Sequence, residues 1–266
     1  MKAAINTLYE QKLAELKAQI EADKLPVALT IVTVGDDPAS KVYVRNKLRL
    51  FEELGLPCHH IVMPEVGTMQ SDLDVLAANA THPILFQLPL PNGLVAPDLP
   101  AKVDVDGFGS EALGLLVLGH APVLPCTVQA AIDIIESHCG ENAFSGLKVA
   151  VVGRSNIVGK PLVIELINRQ STVSSFNSRS DMAAVDWSSF DVVVVATGYH
   201  GTLNSDQFVE GQLIIDVGIN RIEGKLVGDI HHHNEQTTAA ITPVPGGVGR
   251  LTCLNVLGNA VKLAAL

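Results

Sequence analysis

Val149-Ala-Val-Val-Gly-Arg-Ser-Asn-Ile-Val-Gly-Lys-Pro161 decides the fold of this chain. A short apolar run breaks into a glycine-bearing turn, and a new apolar pattern follows at Val158, Leu162, Ile164, Leu166 and Ile167. The first run has strand character; the second fits a buried helix. A strand turning tightly into a helix is the phosphate-holding corner of a dinucleotide fold. Amide N–H groups at the helix start meet the pyrophosphate, and glycine lets the main chain come close. The stretch is not G-x-G-x-x-G, because Ser155 holds the second glycine position. Nor is it a P-loop: five residues separate Gly153 from Gly159, and Pro161 stands where Ser or Thr would hold magnesium. Taken alone, it leaves open an ordinary strand-to-helix turn of an α/β protein.

The next strand sharpens the reading. Thr172-Val-Ser-Ser-Phe176 runs into Asn177-Ser178-Arg179-Ser180, where a fold selecting NAD usually places Asp or Glu to hold the ribose 2′-hydroxyl. Hydroxyls with Arg179 beside them suit a 2′-phosphate, so NADP is the expected cofactor, with Arg154 as a second phosphate ligand. Asp181 is read as a cap on the following segment. Further on, Thr197-Gly198 and Asp216-Val217-Gly218 have the character of lining for a nicotinamide ribose.

Composition narrows the class. A chain of 266 residues, 47% hydrophobic, can bury a substantial core as one large domain or two smaller ones. A formal net charge of −10 without a basic run argues against nucleic acid or an anionic membrane as partner. Cys58, Cys126, Cys139 and Cys253 are widely spaced, which fits reduced thiols rather than a disulfide framework or a zinc site. The N-terminal residues lack a signal-peptide apolar region and no apolar run is long enough to span a bilayer. The expectation is a soluble cytoplasmic protein.

Strand-like and helix-like runs alternate, which predicts parallel sheets with helical crossovers. Strands are expected at residues 27–34, 60–63, 84–88, 147–152, 172–176, 191–196 and 213–217; helices at 38–54, 71–80, 128–139 and 251–266. The predicted architecture is two α/β domains around a cleft. Residues 1–118 form a first domain, onto which residues 250–266 pack back, and residues 119–249 form a Rossmann-like dinucleotide-binding domain.

The helix over 38–54 carries candidate chemistry. Asp37-Pro38 supplies an N-cap and a proline at the first helical position, and Gly55 ends the helix. Ser40, Tyr43 and Lys47 share one face beside the apolar stripe of Val44, Leu48 and Phe51. A lysine at the edge of a buried surface can move protons near neutral pH, whereas a solvated lysine beside an interfacial tyrosine is the plain alternative. Gln87 sits near the carboxyl end of an apolar strand, where ligands of open α/β sheets collect, just before Leu88 and Pro89. Of the two acids in Val103-Asp-Val-Asp-Gly107, Asp104 reads as a turn former and Asp106 as the better grip on a substrate N–H. His231-His232-His233 is read as a loop and not a metal site. Consecutive side chains point different ways, and no Cys or acidic partner has ligand spacing.

Together these segments resemble the bifunctional methylenetetrahydrofolate dehydrogenase/methenyltetrahydrofolate cyclohydrolase family, over nearly the whole chain. The landmarks are Val34-Gly-Asp-Asp-Pro-Ala-Ser40 through Tyr43-Val-Arg-Asn-Lys47, then Gln87-Leu-Pro-Leu-Pro91, Asp104-Val-Asp-Gly-Phe108 and Pro125-Cys-Thr127. Gly153 to Pro161, Ile215-Asp-Val-Gly-Ile-Asn220 and Thr242-Pro-Val-Pro-Gly-Gly-Val-Gly249 follow in family order. The resemblance implies oxidation of 5,10-methylenetetrahydrofolate with NADP, then hydrolysis of the methenyl product to 10-formyltetrahydrofolate, by a homodimer. It makes Lys47 the catalytic group, with Gln87 holding it and the water, Tyr43 orienting the folate, Ser40 supporting that face and Asp106 anchoring the pterin. Leu88, Pro89, Gly246, Gly247 and Val248 would border the folate. The cofactor would fall to Gly153, Arg154, Ser155, Ile157, Ser178 and Arg179, with Thr197, Gly198, Val217, Gly218 and Ile219 on its nicotinamide side.

Departures from the family pattern are also plain. Val103 replaces a usual lysine, Gly109 and Ala112 a histidine and an asparagine, and Val128 and Ala130 a proline and a glycine. Asn177 replaces a frequent histidine, and Arg250 a proline. None touches Tyr43, Lys47, Gln87 or Asp106. Three alternatives stand beside the main reading: a shikimate- or amino-acid-dehydrogenase-like enzyme, a catalytically silent NADP- or folate-binding protein, and a dehydrogenase without cyclohydrolase activity.

Overall fold

The computed structural model describes residues 1–140, 142–232 and 238–266, the Ala39 side chain aside. His233 of the histidine run lies outside them. In chain order the elements begin with α1 (Lys2–Asp23), β1 (Leu29–Val34), α2 (Pro38–Glu53), β2 (Cys58–Met63), α3 (Gln70–Ala78) and β3 (Ile84–Phe86). Then come α4 (Ser110–Val117), α5 (Cys126–Cys139), β4 (Lys148–Val152), α6 (Gly159–Asn168), β5 (Thr172–Phe176) and β6 (Val192–Val195). Short strands β7 (Leu203–Asn204), β8 (Leu213–Asp216), β9 (Asn220–Ile222), β10 (Lys225–Val227), β11 (Ile230–His231) and β12 (Ala240–Ile241) lead into α7 (Val248–Ala264). Among the described residues no helix is long and apolar enough to cross a membrane.

The chain forms two compact units: Met1–Glu10 with Thr127–Thr252, and Gln11–Cys126 with Cys253–Leu266. Residues 253–266 thus group with the earlier part of the chain. The first ten residues do not. Ile5 is buried, and Leu8 and Tyr9 pack, against Val128, Ile132 and Val151 of the other unit's core.

In the unit holding residues 127–252, five strands run parallel in the order β12-β8-β6-β4-β5. Val149 to Val152 and Val192 to Val195 are all at most 1% exposed, which is why they read as unbroken apolar runs: both faces of the sheet are covered. Chain order reverses between β4 and β6. That switch point is where open α/β sheets hold ligands, outside the strands' carboxyl ends. The other unit repeats the device on a smaller scale, with parallel order β2-β1-β3. Its switch point lies between the carboxyl ends of β1 and β3, beside α2 and Gln87.

Helices α1 and α4 and the short strands β7 and β9 to β12 escape the sequence pattern. Helix α1 turns Ile5, Leu8, Tyr9, Leu13, Leu16 and Ile20 to one face, and Ile5 is its buried residue. Helix α4 lies between the expected strand at 84–88 and the expected helix at 128–139, where no element is predicted. The histidine run is also not wholly loop, because His231 closes β11 and pairs with Asn204 of β7.

Candidate active site

Helix α2 delivers the first group of side chains. Asp37 caps it through the Ser40 amide, which donates to Asp37 Oδ2 at 2.7 Å, so the helix starts where the sequence places it. One face then presents Ser40, Tyr43 and Lys47. Lys47 is only 6% exposed. Its ammonium donates to Gln87 Oε1 at 2.9 Å, and Gln87 Nε2 donates to the Leu88 carbonyl at 2.8 Å. The Gln87 amide continues the sheet by donating to Val32 O, which sets the residue at the carboxyl end of β3. Ser40 Oγ reaches the same Leu88 carbonyl at 3.5 Å, and the Leu88–Pro89 peptide is cis.

Asp104 takes the turn-forming part expected of it. Asp104 accepts from the Gly107 and Gly109 amides at 2.9 and 2.7 Å, closing the turn before α4. Burial pushes its pKa up to about 6, the two amides working against the shift and the Asp106 charge adding to it. Asp106 is left for other work. Burial raises its pKa above the ordinary carboxylate value, while the nearby Lys47 charge and a hydrogen bond with Cys126 pull it back. Lys47 and Asp106 also act on Cys253, whose thiol burial pushes up, and Cys253 in turn adds to the burial that raises Tyr43. Tyr43, Lys47, Gln87 and Asp106 therefore form one electrostatic cluster. A small recess beside Asp106 is lined by Phe86, Leu99, Asp104 and Phe108.

A clamp that sequence reading misses stands behind Asp106. Asn259 of α7 donates through Nδ2 to the carbonyls of Val105 and Leu124, both at 2.9 Å, and to Cys126 Sγ at 3.3 Å. Cys126 Sγ donates to Val105 O at 3.3 Å. The buried amide of Asn259 is a signal only in retrospect, since a buried asparagine needs partners.

The dinucleotide corner is built by close approach. Gly153 has φ +118°, and a Cβ there would lie 2.1 Å from Ala196 O; one at Gly159 would lie 2.1 Å from Gly153 O. Both glycines are thus required by the β4 turn itself. Ser155, expected on the cofactor, has its Oγ on the first amides of α6, accepting from Val158 and Gly159 at 3.1 and 3.3 Å. It caps the helix, in keeping with the lack of a cap from Val158. Arg154 donates to Ser175 Oγ at 3.1 Å and Ser175 O at 2.7 Å, which holds its guanidinium at the end of β5. Ile157, Ser178 and Arg179 are exposed, and Asn177 Oδ1 shapes their turn by accepting from the Arg179 amide at 3.1 Å. Asp181 precedes a short 3-10 turn but makes no side-chain cap there.

Past β6, one buried carboxylate arranges the loop expected on the nicotinamide side. Asp229, fully buried, accepts through Oδ2 from the amides of Thr197 and Gly198 at 2.7 and 2.8 Å and from Thr197 Oγ1 at 3.0 Å. Its Oδ1 accepts from Asn220 Nδ2 at 2.8 Å. Asp216, read as ribose lining, instead faces inward: it accepts from the amides of Gly218, Asp229 and Ile230. Burial pushes its pKa up to about 6. Val217 continues the sheet through its bond to Val195 O, and Ile219 is exposed. Gly246 takes a positive φ and Gly247 fits under Pro243 O. Val248, expected against the folate, is 3% exposed in the core of its own unit, as the apolar start of α7 demands.

Most departures have a structural account. Val103, Ala112, Val128 and Ala130 are buried core residues. A Cβ at Gly109 would meet Leu99 O at 2.9 Å and Asp104 Oδ2 at 3.0 Å, so a histidine has no room there. Arg250 donates to Asn6 Oδ1 at 2.6 Å, pairs with Glu10, and lies 4.1 Å over the Tyr9 ring.

A doubly wound nucleotide-binding sheet, and a lysine-centred cluster of polar side chains in the other unit, define a cofactor-dependent α/β enzyme. Comparison with known proteins gives the particular family. Residues 2–106 match the tetrahydrofolate dehydrogenase/cyclohydrolase catalytic domain, and residues 125–266 match the NAD(P)-binding domain of the same family. The chain belongs to the tetrahydrofolate dehydrogenase/cyclohydrolase family. It is 37% identical to a bifunctional protein FolD from an Exiguobacterium strain, covering 97% of this chain and 95% of that one. The FolD methylenetetrahydrofolate dehydrogenase/cyclohydrolase structure from Campylobacter jejuni superposes with a TM-score of 0.87 at 34% identity, covering 97% and 96%. The Trypanosoma brucei counterpart, solved with NADP and an inhibitor, gives 0.84 at 26% identity, covering 99% and 95%.

Proposed function

We propose that this protein oxidises 5,10-methylenetetrahydrofolate to the methenyl form with NADP and then hydrolyses that product to 10-formyltetrahydrofolate. The observation that carries the reading is the buried Lys47 ammonium held on Gln87 Oε1, in a chain of this family.

Bound NADP supplies the hydride acceptor. The residues at its expected site fit a phosphorylated ribose: Arg154 is held at the end of β5, and Ser178 and Arg179 follow it, exposed. In the hydrolytic step, water adds its oxygen to the one-carbon bridge of the methenyl cation, the carbon–N5 bond breaks, one water proton ends on N5 and the other leaves to solvent. Lys47 is the group that polarises or protonates the reacting folate centre and assists the water. Gln87 fixes the ammonium and leaves it no freedom to swing, which matters because positioned groups gain most of their advantage from geometry. Tyr43 orients the folate, Ser40 with Leu88 and Pro89 supports that face, and Asp106 accepts pterin N–H groups. Gly246 and Gly247 are kept as folate-side backbone, and Thr197, Gly198, Val217, Gly218 and Ile219 as the nicotinamide side. The reading also carries residues 119–249 as the NADP-binding domain, a homodimer and a cytoplasmic location; the net charge of −10 supports the expectation of no nucleic-acid partner.

The test follows reduced cofactor and methenyl product with 5,10-methylenetetrahydrofolate, using NADP⁺ and NAD⁺ in parallel. Turnover favouring NADP⁺ without lasting methenyl accumulation is the expected result. Accumulated methenyl product would leave a dehydrogenase alone, and folded protein without turnover would leave a binding protein.

A further inference from the structure

Two histidines outside the folate and cofactor residues face each other in the unit that holds the dinucleotide corner. His200 closes the turn beyond β6. His231 closes β11, whose parallel pairing with β7 fixes its position, Ile230 against Leu203 and His231 against Asn204. His200 Nε2 lies 3.2 Å from His231 Nδ1, with ring centroids 5.4 Å apart and planes at 76°. The other nitrogen, His200 Nδ1, is 2.8 Å from the Gly228 carbonyl. A carbonyl oxygen has no proton to give, so Nδ1 carries the proton and Nε2 keeps its lone pair. In the 3.2 Å contact the proton therefore belongs to His231 Nδ1.

A ring nitrogen tied to a carbonyl, which fixes the tautomer, is how metal-binding histidines are commonly oriented; His200 has this arrangement, and its Nε2 lone pair faces His231 Nδ1. The spacing agrees. Two nitrogens 3.2 Å apart, each roughly 2.0–2.1 Å from a zinc ion, subtend about 100–106°, close to tetrahedral. Asp229, the nearest buried carboxylate in sequence, already accepts from Thr197, Gly198 and Asn220.

We propose that His200 Nε2 and His231 Nδ1 form a two-histidine site for a divalent transition metal such as zinc, nickel or copper. On binding, the proton of His231 Nδ1 leaves for solvent, and the metal takes both lone pairs. Among the described residues no group of three or more His, Cys, Asp or Glu can hold a metal ion. The site is accordingly a reversible one, unlike a closed four-ligand structural centre. Filling it would brace the turn after β6 against β11.

The experiment is calorimetric titration of tag-free protein with Zn²⁺, Ni²⁺, Cu²⁺ and Mg²⁺, repeated on His200→Ala, His231→Ala and the distant control His120→Ala. One equivalent is expected to bind, tightest for Cu²⁺ and absent for Mg²⁺. Affinity should fall at least tenfold in both pair variants and stay unchanged in the control. Copper-loaded protein should show two nitrogen ligands by electron paramagnetic resonance, and zinc should raise the melting temperature of wild type and of His120→Ala but not of the two pair variants. His231→Ala leaves the His200–Gly228 bond in place, so it decides the matter should His200→Ala lose its fold. No binding, or binding that survives His231→Ala unchanged, overturns the site.

Discussion

Lys47 and Gln87 meet across 2.9 Å, ammonium to amide oxygen, at the junction of α2 and the end of β3. The contact joins residues 40 positions apart, and it orients the glutamine fully, because Gln87 Nε2 is on Leu88 O. Lys47→Met should keep the side-chain length and remove the buried charge. The expected outcome is cyclohydrolase activity down at least ~100-fold with a melting temperature equal to or above wild type. Paired activity and thermal-unfolding measurements check it; a large loss of stability would give Lys47 a structural role instead.

Gly153→Ala tests the corner. The new methyl would have to occupy space 2.1 Å from Ala196 O at a φ of +118°. A loss of ~3 kcal/mol or more in urea unfolding is expected, together with weakened NADP binding. Retained stability would mean that the β4 turn can relax away from β6.

Asn259 offers a sharper contrast. Asn259→Leu strips the donor from Leu124 O, while Val105 O keeps the Cys126 thiol. A cost of about 2 kcal/mol follows for one unpaired buried carbonyl. Asn259→Asp should cost more, because it sets a carboxylate against two carbonyl oxygens. With Asp106 next to Val105, KM for folate should rise in either variant; denaturant unfolding and steady-state kinetics separate the two effects.

The pKa of Asp216, pushed up to about 6, makes a pH statement. Its folded value lies above the ordinary aspartate value of 3.8, so the folded protein holds the extra proton between the two. The contribution is complete below about pH 4 and is lost as pH rises through about 6. Carbon-13 titration of the aspartate carboxyls should find Asp216 and Asp104 titrating near 6, and a midpoint near 4 for Asp216 would remove the effect.

The parallel sheets, most helices and the Tyr43, Lys47, Gln87 and Asp106 set could be read from the chain, since each rests on a local pattern or a contiguous motif. What escaped depends on distance or on orientation. Asp229 serves Thr197 from 32 residues away, and Arg250 reaches Asn6 across 244. No spacing rule connects either pair. The amide partners of Ser155 Oγ and of the Asp216 carboxylate were also not read, because they depend on how each turn folds back on itself. Helix α1 went unread although Ile5, Leu8, Tyr9, Leu13, Leu16 and Ile20 repeat at helical spacing, because Lys2, Lys12 and Asp23 on the same face dilute the stripe.

Neither compact unit is a single uninterrupted stretch, because Met1–Glu10 and Cys253–Leu266 each belong with the part of the chain farther from them in sequence. A chimera that exchanges the nucleotide-binding unit with a relative must therefore carry two segments, 1–10 and 127–252, with joins falling inside α1 and α7. One cut near residue 126 would strand Ile5 without its core and Asn259 without its carbonyls. Inheritance by simple shuffling of whole modules is closed to such a chain, and the two halves have to change together.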